Sequence, residues 1–483
     1  MRRSDSAVLA AVGTASAALY FLLFAHPFPL VSLYAVRHMD LGKLTWYGQT
    51  EAVVFVGGLA GLFVLYLIAL RLTARAEGDR RALAWVLGFA LLYGVTLAAT
   101  YPIGALDVFA YVFQGRILAH YHANPFVVAP ASFPQDPVLP LLAWPSEPST
   151  YGPLWVIVEG ASALLYEDSL LAGLAVFKAM GVALHVLTAY AVFLVLKRQG
   201  AQAPVAGTLF FAWNPLMIFE AAANGHNDVA MACLALLAVY ALAAGRVSLS
   251  YPLLMASALV KFVTLVLFPV FLMAWLYGRE QVAIRARGAA VGLLLAGMLA
   301  AALYAPFWAG AETIGALKRG DLFTASPLAF AFFFLKDRGY ADAGQTVRVG
   351  GSLLLLLFVV GRTLLVRQGS RHLLAASFDI LMAYFALATF WFQPWYLVVL
   401  VPVAAALEDT TRRRLALVFT ASAVLNYFVF DYLWFWYPHQ LGILEVQAAA
   451  ALAIYGPPVA FLLSVAGMRL AQAPAAPDLE PPR

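Results

Sequence analysis

Residues 82–122, "ALAWVLGFALLYGVTLAATYPIGALDVFAYVFQGRILAHYH", decide the fold. No residue from Ala82 to Leu106 carries a charge. That is long enough for a helix to cross a bilayer, which takes about 20 apolar residues. Asp107, Tyr111, Gln114, Arg116, His120 and His122 follow at once. The pattern is a membrane span that delivers a set of polar groups to one face.

The rest of the chain repeats the greasy half of this pattern. Of 483 residues, 63% are hydrophobic and 11% charged. A soluble domain carries about 25% charged residues, so this chain cannot cover itself with water-facing groups. The reading is an all-α polytopic membrane protein. A pI near 9.1 does not imply nucleic acid, because the basic residues are spread over short loops and read as topology signals. Cys233, the single cysteine, excludes a disulfide framework and a Cys-based metal site within one chain. The N-terminal "MRRSDSAVLAAVGTASAALYFLLFAHPF" reads as a first span, since no small-x-small cleavage site precedes a soluble domain.

Charge sets the expected topology, because short cytoplasmic loops are rich in Lys and Arg. Arg2 and Arg3 place the N-terminus inside. Spans near 7–25 and 51–70 lead out and back to the basic loop "RLTARAEGDRR", and a third near 82–101 brings Asp107 outside. The segment 102–168 is then one large outer loop. Its stretch "PLWVIVEGASALLY" (153–166) lies along the surface as an interfacial helix, with the alternative that it crosses. Spans near 170–196, 204–221 and 228–245 follow. The apolar stretch 249–277 has basic flanks at Arg246, Arg279, Arg285 and Arg287, so it reads as a re-entrant helix pair broken at Lys261. Further spans are expected near 288–308, 347–367, 372–391, 395–408, 414–430 and 444–469. The total is roughly twelve crossings. One transmembrane domain thus covers 1–470, and 471–483 reads as a disordered cytoplasmic tail.

Ionisable groups near a membrane are costly, so a functional reading is the default. On a helix over 105–120, Asp107, Tyr111 and Gln114 share a face at spacings of four and three. A plainer reading makes Asp107 an N-cap and Arg116 a lipid-headgroup contact. The turn "NGHND" gathers Asn224, His226, Asn227 and Asp228 on the same outer face, although Gly225 and a capping Asn227 or Asp228 would explain part of it. "WFQPWYL" (391–397) suits an interfacial aromatic belt, with Gln393 less usual there. Lys261, a cation inside an apolar stretch, either snorkels or meets an anion such as a phosphate. The histidines lack zinc-site spacing, and no nucleotide-binding glycine loop, GxSxG or HExxH occurs. An outward site with a lone acid and scattered cations suggests chemistry on a lipid-linked anion. The alternative is a transporter or flippase of lipid-linked sugars, which should show internal pseudo-symmetry and a polar path to both faces.

The stretches "DVFAYVFQGRILAHYHANPF", "STYGPLW", "AWNPLMIFEAAANGHNDVAMA", "SALVKFVTLVLFP" and "FQPWYLV" together resemble the bacterial polyprenol-phosphate-mannose-dependent α-mannosyltransferases. These belong to the GT-C class of membrane glycosyltransferases, and the resemblance runs in order over about residues 80–410. It implies a GT-C fold in the plasma membrane, with Asp107 as general base for an acceptor hydroxyl. The implied donor is a polyprenyl-phosphate sugar and the acceptor a glycan or lipid-linked glycan, joined by inverting single displacement.

The family's Tyr-x-x-Gln-Gly-Arg pattern falls on Tyr111, Gln114, Gly115 and Arg116, and its Asn-Gly-His-Asn-Asp turn on Asn224 to Asp228. Arg116, Lys261 and His226, with Tyr111 and Gln114, are the expected donor phosphate and sugar ligands. Asn224, Asn227, Asp228, Tyr151, Gln393, His120 and His122 are expected to bind acceptor or shape the site. Neither cofactor nor metal is expected. Gly152 stands where a proline usually follows the tyrosine, which favours the mannosyltransferase branch over the aminoarabinose branch. The Trp-Trp-Asp-Tyr-Gly signature of oligosaccharyltransferases is absent.

Overall fold

The computed structural model describes residues 3–37, 40–74, 80–166, 168–276, 282–313, 322–367 and 369–471. The tail expected to be disordered lies outside the described residues from 472 onward. So do the loop segments 75–79 and 314–321 and the flanking Arg279. The fold is helical. Among the described residues, extended pairing is confined to two isolated bridges, Pro29 with Thr100 and Thr324 with Trp391.

Among the described residues, eight helices are long and apolar enough to cross a membrane: Asp5–Ala25, Gln49–Thr73, Arg80–Ala98, Leu170–Arg198, Ala283–Phe307, Ala343–Leu364, Thr410–Trp436 and Ile443–Arg469. The pair Pro204–Ala212 and Pro215–Ala223, bent by 53°, makes a ninth if it is one broken span. Its break has a local cause. Proline restricts the residue before it to extended backbone, and the Asn214 side chain caps the new helix by accepting from Leu216 and Met217 N–H at 3.2 and 3.4 Å. The other expected crossings fall on shorter or more polar helices. Asp228–Ala243 and Pro394–Ala405 are short, and Ser370–Leu387 carries Asp379. Asp379 pairs with Arg362 and Arg412, each at 2.8 Å.

Lipid-facing and protein-facing helices differ in exposure. Leu353, Leu354, Leu356 and Leu357 of Ala343–Leu364 stand open on the surface, as apolar side chains do where the solvent is hydrocarbon. Asp228–Ala243, by contrast, is enclosed along most of its length. A helix buried among others need not reach across the bilayer itself.

The basic ends of several helices meet at one pole of the bundle. There Arg371 donates to the Gln199 carbonyl at 2.8 Å and pairs with Glu408 at 3.0 Å. Arg198 reaches the Ala243 carbonyl, and Gln202 N–H donates to Glu408. The first long loop lies at the opposite ends of Arg80–Ala98 and Leu170–Arg198. Within that loop, Pro153–Tyr166 has 14 residues. At 1.5 Å per residue it spans about 21 Å, short of a bilayer core. Both its ends are tied to the helix Asp107–Ala119, by Tyr151 to Asp107 and by Asp168 to Arg116.

The segment around Lys261 is a hairpin. Val247, at the start of Val247–Ala258, and Trp275, near the end of Phe268–Leu276, both lie against Gly288. Lys261 stands at the opposite end in extended backbone, between two half-length helices. Its position at the break matches the expectation from the basic flanks.

Candidate active site

Asp107 is the first residue of its helix, and Leu106 rather than Asp107 takes the capping position. The carboxylate is therefore free for another partner. Its Oδ1 accepts a 2.7 Å hydrogen bond from the Tyr151 hydroxyl. The approach to Asp107 is fixed upstream, where Gly104 N–H donates to Asn224 Oδ1 at 3.0 Å. Downstream, Gly152 and Leu154 N–H donate to the carbonyls of Val260 and Leu259, each at 3.0 Å. A Cβ on Gly152 would stand 2.0 Å from the Leu259 carbonyl oxygen. Only glycine lets the Tyr151 loop dock this closely on the Lys261 hairpin.

Tyr111 and Gln114 share the helix with Asp107 but do different things. Tyr111 is fully buried, packs edge-on against Tyr151 at 5.1 Å, and accepts from Asn227 N–H at 3.3 Å. Burial, then the Asp107 and Asp228 charges, hold its hydroxyl well above the usual tyrosine range. Gln114 turns to a cavity, and its buried Oε1 has no protein partner among the described residues.

The "NGHND" turn is fully enclosed. Gly225 has φ +72°, a backbone that side chains rarely adopt, which lets the chain reverse there. Asn224 Nδ2 donates to Glu220 Oε2 at 2.7 Å, and Tyr427 donates to Glu220 Oε1 at 2.5 Å. His226 stacks on Trp395 at 4.2 Å, and its Nε2 lies 3.4 Å from Glu220. Burial lowers the His226 imidazole to about 4, against the pull of Asp107 and Asp228. Asn227 keeps both amide atoms without a protein partner among the described residues. Asp228 receives both hydrogen bonds of a bidentate contact from Lys261, at 2.9 and 2.8 Å. Lys261 also lies 5.1 Å from the Tyr396 ring centre.

A cavity of about 530 Å³ opens in front of Asp107. Its walls include Asp107, Gln114, Trp144, Glu147, Tyr151, Trp391, Gln393, Trp395, Asn426, Tyr427 and Asp431. Among the described residues, three acids and no lysine or arginine line it. Of the residues expected from sequence, Asp107, Gln114, Tyr151 and Gln393 meet at its surface. Asn224, His226 and Tyr111 stand behind it and hold wall residues. Lys261 lies between Leu259 and Phe262, which line a separate apolar groove of about 700 Å³.

Arg116, His120 and His122 are not in the cavity lining. Arg116 is buried against Asp136 and Asp168, each at 2.8 Å. Burial works against its charge, but these two carboxylates outweigh that and raise its pKa. The exposed Asp168 carboxyl is correspondingly lowered by Arg116. Through these contacts Arg116 ties Asp136 and Asp168 of the loop to the helix Asp107–Ala119. His120 and His122 are exposed at the end of the helix, with His122 at φ 51°.

Several buried ionisable groups escaped the sequence reading, among them Glu220 and Lys178. Glu220 is the hub behind the cavity wall. Lys178 Nζ donates to the carbonyls of Ala222 and Ala223, the end of the π-helical turn Phe219–Ala223. Both sit in apolar runs, where the cost of an ionisable group is the signal that could have marked them. Among the described residues, no three His, Cys, Asp or Glu side chains converge in a way that could hold a metal.

A search of curated proteins returns no match. Among solved structures, the chain is similar to the apo oligosaccharyltransferase of Archaeoglobus fulgidus, at 12% identity and a TM-score of 0.40. That alignment covers 79% of this chain and 56% of the archaeal one, so this chain spans little over half its length. A sequence profile described as alpha-(1->6)-mannopyranosyltransferase, N-terminal domain, matches residues 9–277, more than half the chain. The matched region carries Asp107, Tyr151, the "NGHND" turn and Lys261, and by this match the chain belongs to the alpha-(1->6)-mannopyranosyltransferase family.

Proposed function

We propose that this membrane glycosyltransferase moves a mannosyl residue from a polyprenyl-phosphate donor to a hydroxyl of a glycan or lipid-linked glycan on the outer face of the membrane. The observation that carries the reading is Asp107, oriented by Tyr151, at the wall of a sugar-sized cavity. Asp107 takes the proton of the acceptor hydroxyl as its oxygen attacks the anomeric carbon. The bond from that carbon to the phosphate oxygen breaks, and the phosphate leaves with the electron pair. One base suffices for a single displacement, so a β-linked donor yields an α-glycoside.

Separation of charge supports a lipid-linked donor. The cavity is acidic, whereas the cation Lys261 stands beside an apolar groove lined by Met255, Leu259, Phe262, Leu265 and Trp308. A phosphate near Lys261 with an isoprenoid tail in that groove would satisfy both surfaces. The leaving phosphate needs charge compensation more than protonation. An outer-face site is supported by the arginines gathered at the opposite pole, which are expected on the cytoplasmic side.

The test is to incubate the purified protein with polyprenyl-phosphate mannose, glucose or arabinose, with and without mannooligosaccharide acceptors. The reading expects acceptor-dependent consumption of the mannose donor. Consumption of none of the donors, with their movement across a bilayer instead, would favour the transporter.

A further inference from the structure

Asp431 lines the same cavity as Asp107. It sits in a π-helical turn, Val429–Leu433, near the end of the span Thr410–Trp436. Such turns interrupt a helix at some cost and recur at functional sites. No hydrogen bond from a described residue reaches the Asp431 carboxyl.

The turn is braced from behind. Tyr432 shares a 2.8 Å hydrogen bond with Thr45, and Trp436 Nε1 donates to the Tyr47 carbonyl at 2.6 Å. Phe435 stacks on Tyr47 at 4.3 Å. A Cβ on Gly42 would stand 2.2 Å from the Asp431 carbonyl oxygen, so the bracing turn lies directly against this residue. Within that turn Trp46 and Tyr47 both hold left-handed backbone, at φ 53° and 54°. Consecutive strained residues persist where the surroundings over-determine them. The turn that carries Asp431 is thus braced, while its carboxyl has no hydrogen-bonding task among the described residues.

A second side chain points the same way. Asn426, 4% exposed and on the same wall, donates to Gln393 at 3.3 Å, while its Oδ1 is buried without a partner among the described residues. Trp144 and Trp391 pack edge to face at 6.1 Å in the cavity wall. Carboxyl and amide groups suit sugar hydroxyls, and indole faces suit the C–H faces of a pyranose ring. With Asp107 and Asp431 in the walls and no lysine or arginine among the described lining residues, the cavity disfavours an anion.

We propose that Asp431 is an acceptor-binding residue, whose carboxyl group hydrogen-bonds the hydroxyls of a neutral, hydroxyl-rich glycan and thereby selects it over anionic acceptors. This rests on the glycosyltransferase reading above. The test is steady-state kinetics of the purified full-length protein with polyprenyl-phosphate mannose and neutral mannooligosaccharides, wild type against Asp431→Asn. The acceptor KM should rise about 10- to 100-fold, with the donor KM and melting temperature unchanged. An unchanged acceptor KM, or a rise confined to the donor KM, overturns the assignment.

Should Asp431→Asn not fold, wild-type tryptophan fluorescence decides. Neutral mannooligosaccharides should bind at least about 10-fold more tightly than their phosphorylated forms. Equal or tighter binding of the phosphorylated forms overturns the proposal. Wild-type protein that transfers to no acceptor would sink the function and this inference together. Transfer with an insensitive Asp431→Asn sinks this inference alone.

Discussion

Tyr151 donates a 2.7 Å hydrogen bond to Asp107, and Gly152 docks the same loop on the carbonyls beside Lys261. The proposed base and the proposed phosphate-binding cation are thus held by adjacent residues of one loop. Tyr151→Phe removes a hydrogen bond to a charged group, worth about 1.5–3 kcal/mol. The expected result is a fall in kcat of roughly 10- to 150-fold, with donor KM unchanged. Single-turnover kinetics at saturating donor measure it, and an unaltered kcat would show that Asp107 needs no such support.

Lys261 and Asp228 form a bidentate pair in which Asp228 is almost fully buried. Lys261→Met strands a buried carboxylate and should cost about 3–5 kcal/mol of stability. Adding Asp228→Leu should restore most of the melting temperature without restoring transfer. A double variant with wild-type turnover would exclude Lys261 from handling the phosphate.

Arg116 makes the opposite prediction. Arg116→Met leaves the buried Asp136 without its cation, with Tyr121 and Val138 still donating to it, at a cost of up to about 3–5 kcal/mol. The donor KM of the protein that remains folded should not change. Asp168 is exposed, so Asp168→Asn should barely move the melting temperature. A large donor-KM effect in Arg116→Met would return this residue to the phosphate.

Burial lowers His226 to about 4 from an ordinary 6.5. Between those values the unfolded chain binds a proton that the folded chain does not. Stability therefore falls as pH drops through this window. His226→Gln should flatten that part of the stability profile, followed by melting temperature from pH 7 to pH 4. An identical slope in the variant would show that other groups cause it.

The membrane class, the large loop and the break at Lys261 were legible in the sequence, because apolar run length and basic flanks are local signals. Asp107 and its neighbours were legible as a polar group at the end of a span. The partnerships were not. Arg116 looks like a free cation in sequence, yet Asp136 and Asp168 answer it from 20 and 52 residues away. Glu220 was hidden because its partner Tyr427 lies 207 residues downstream. Asp431 carries no motif, and only the cavity brings it to face the same space as Asp107.

The central claim is that Asp107 is the base of a glycosyl transfer from a lipid-linked donor. Its most direct test is the turnover of purified Asp107→Asn with polyprenyl-phosphate mannose and a mannooligosaccharide, both saturating. A positioned general base contributes about 100- to 10,000-fold. The account predicts a loss of at least that order, with donor binding and melting temperature kept. Wild-type turnover in the asparagine variant would contradict it.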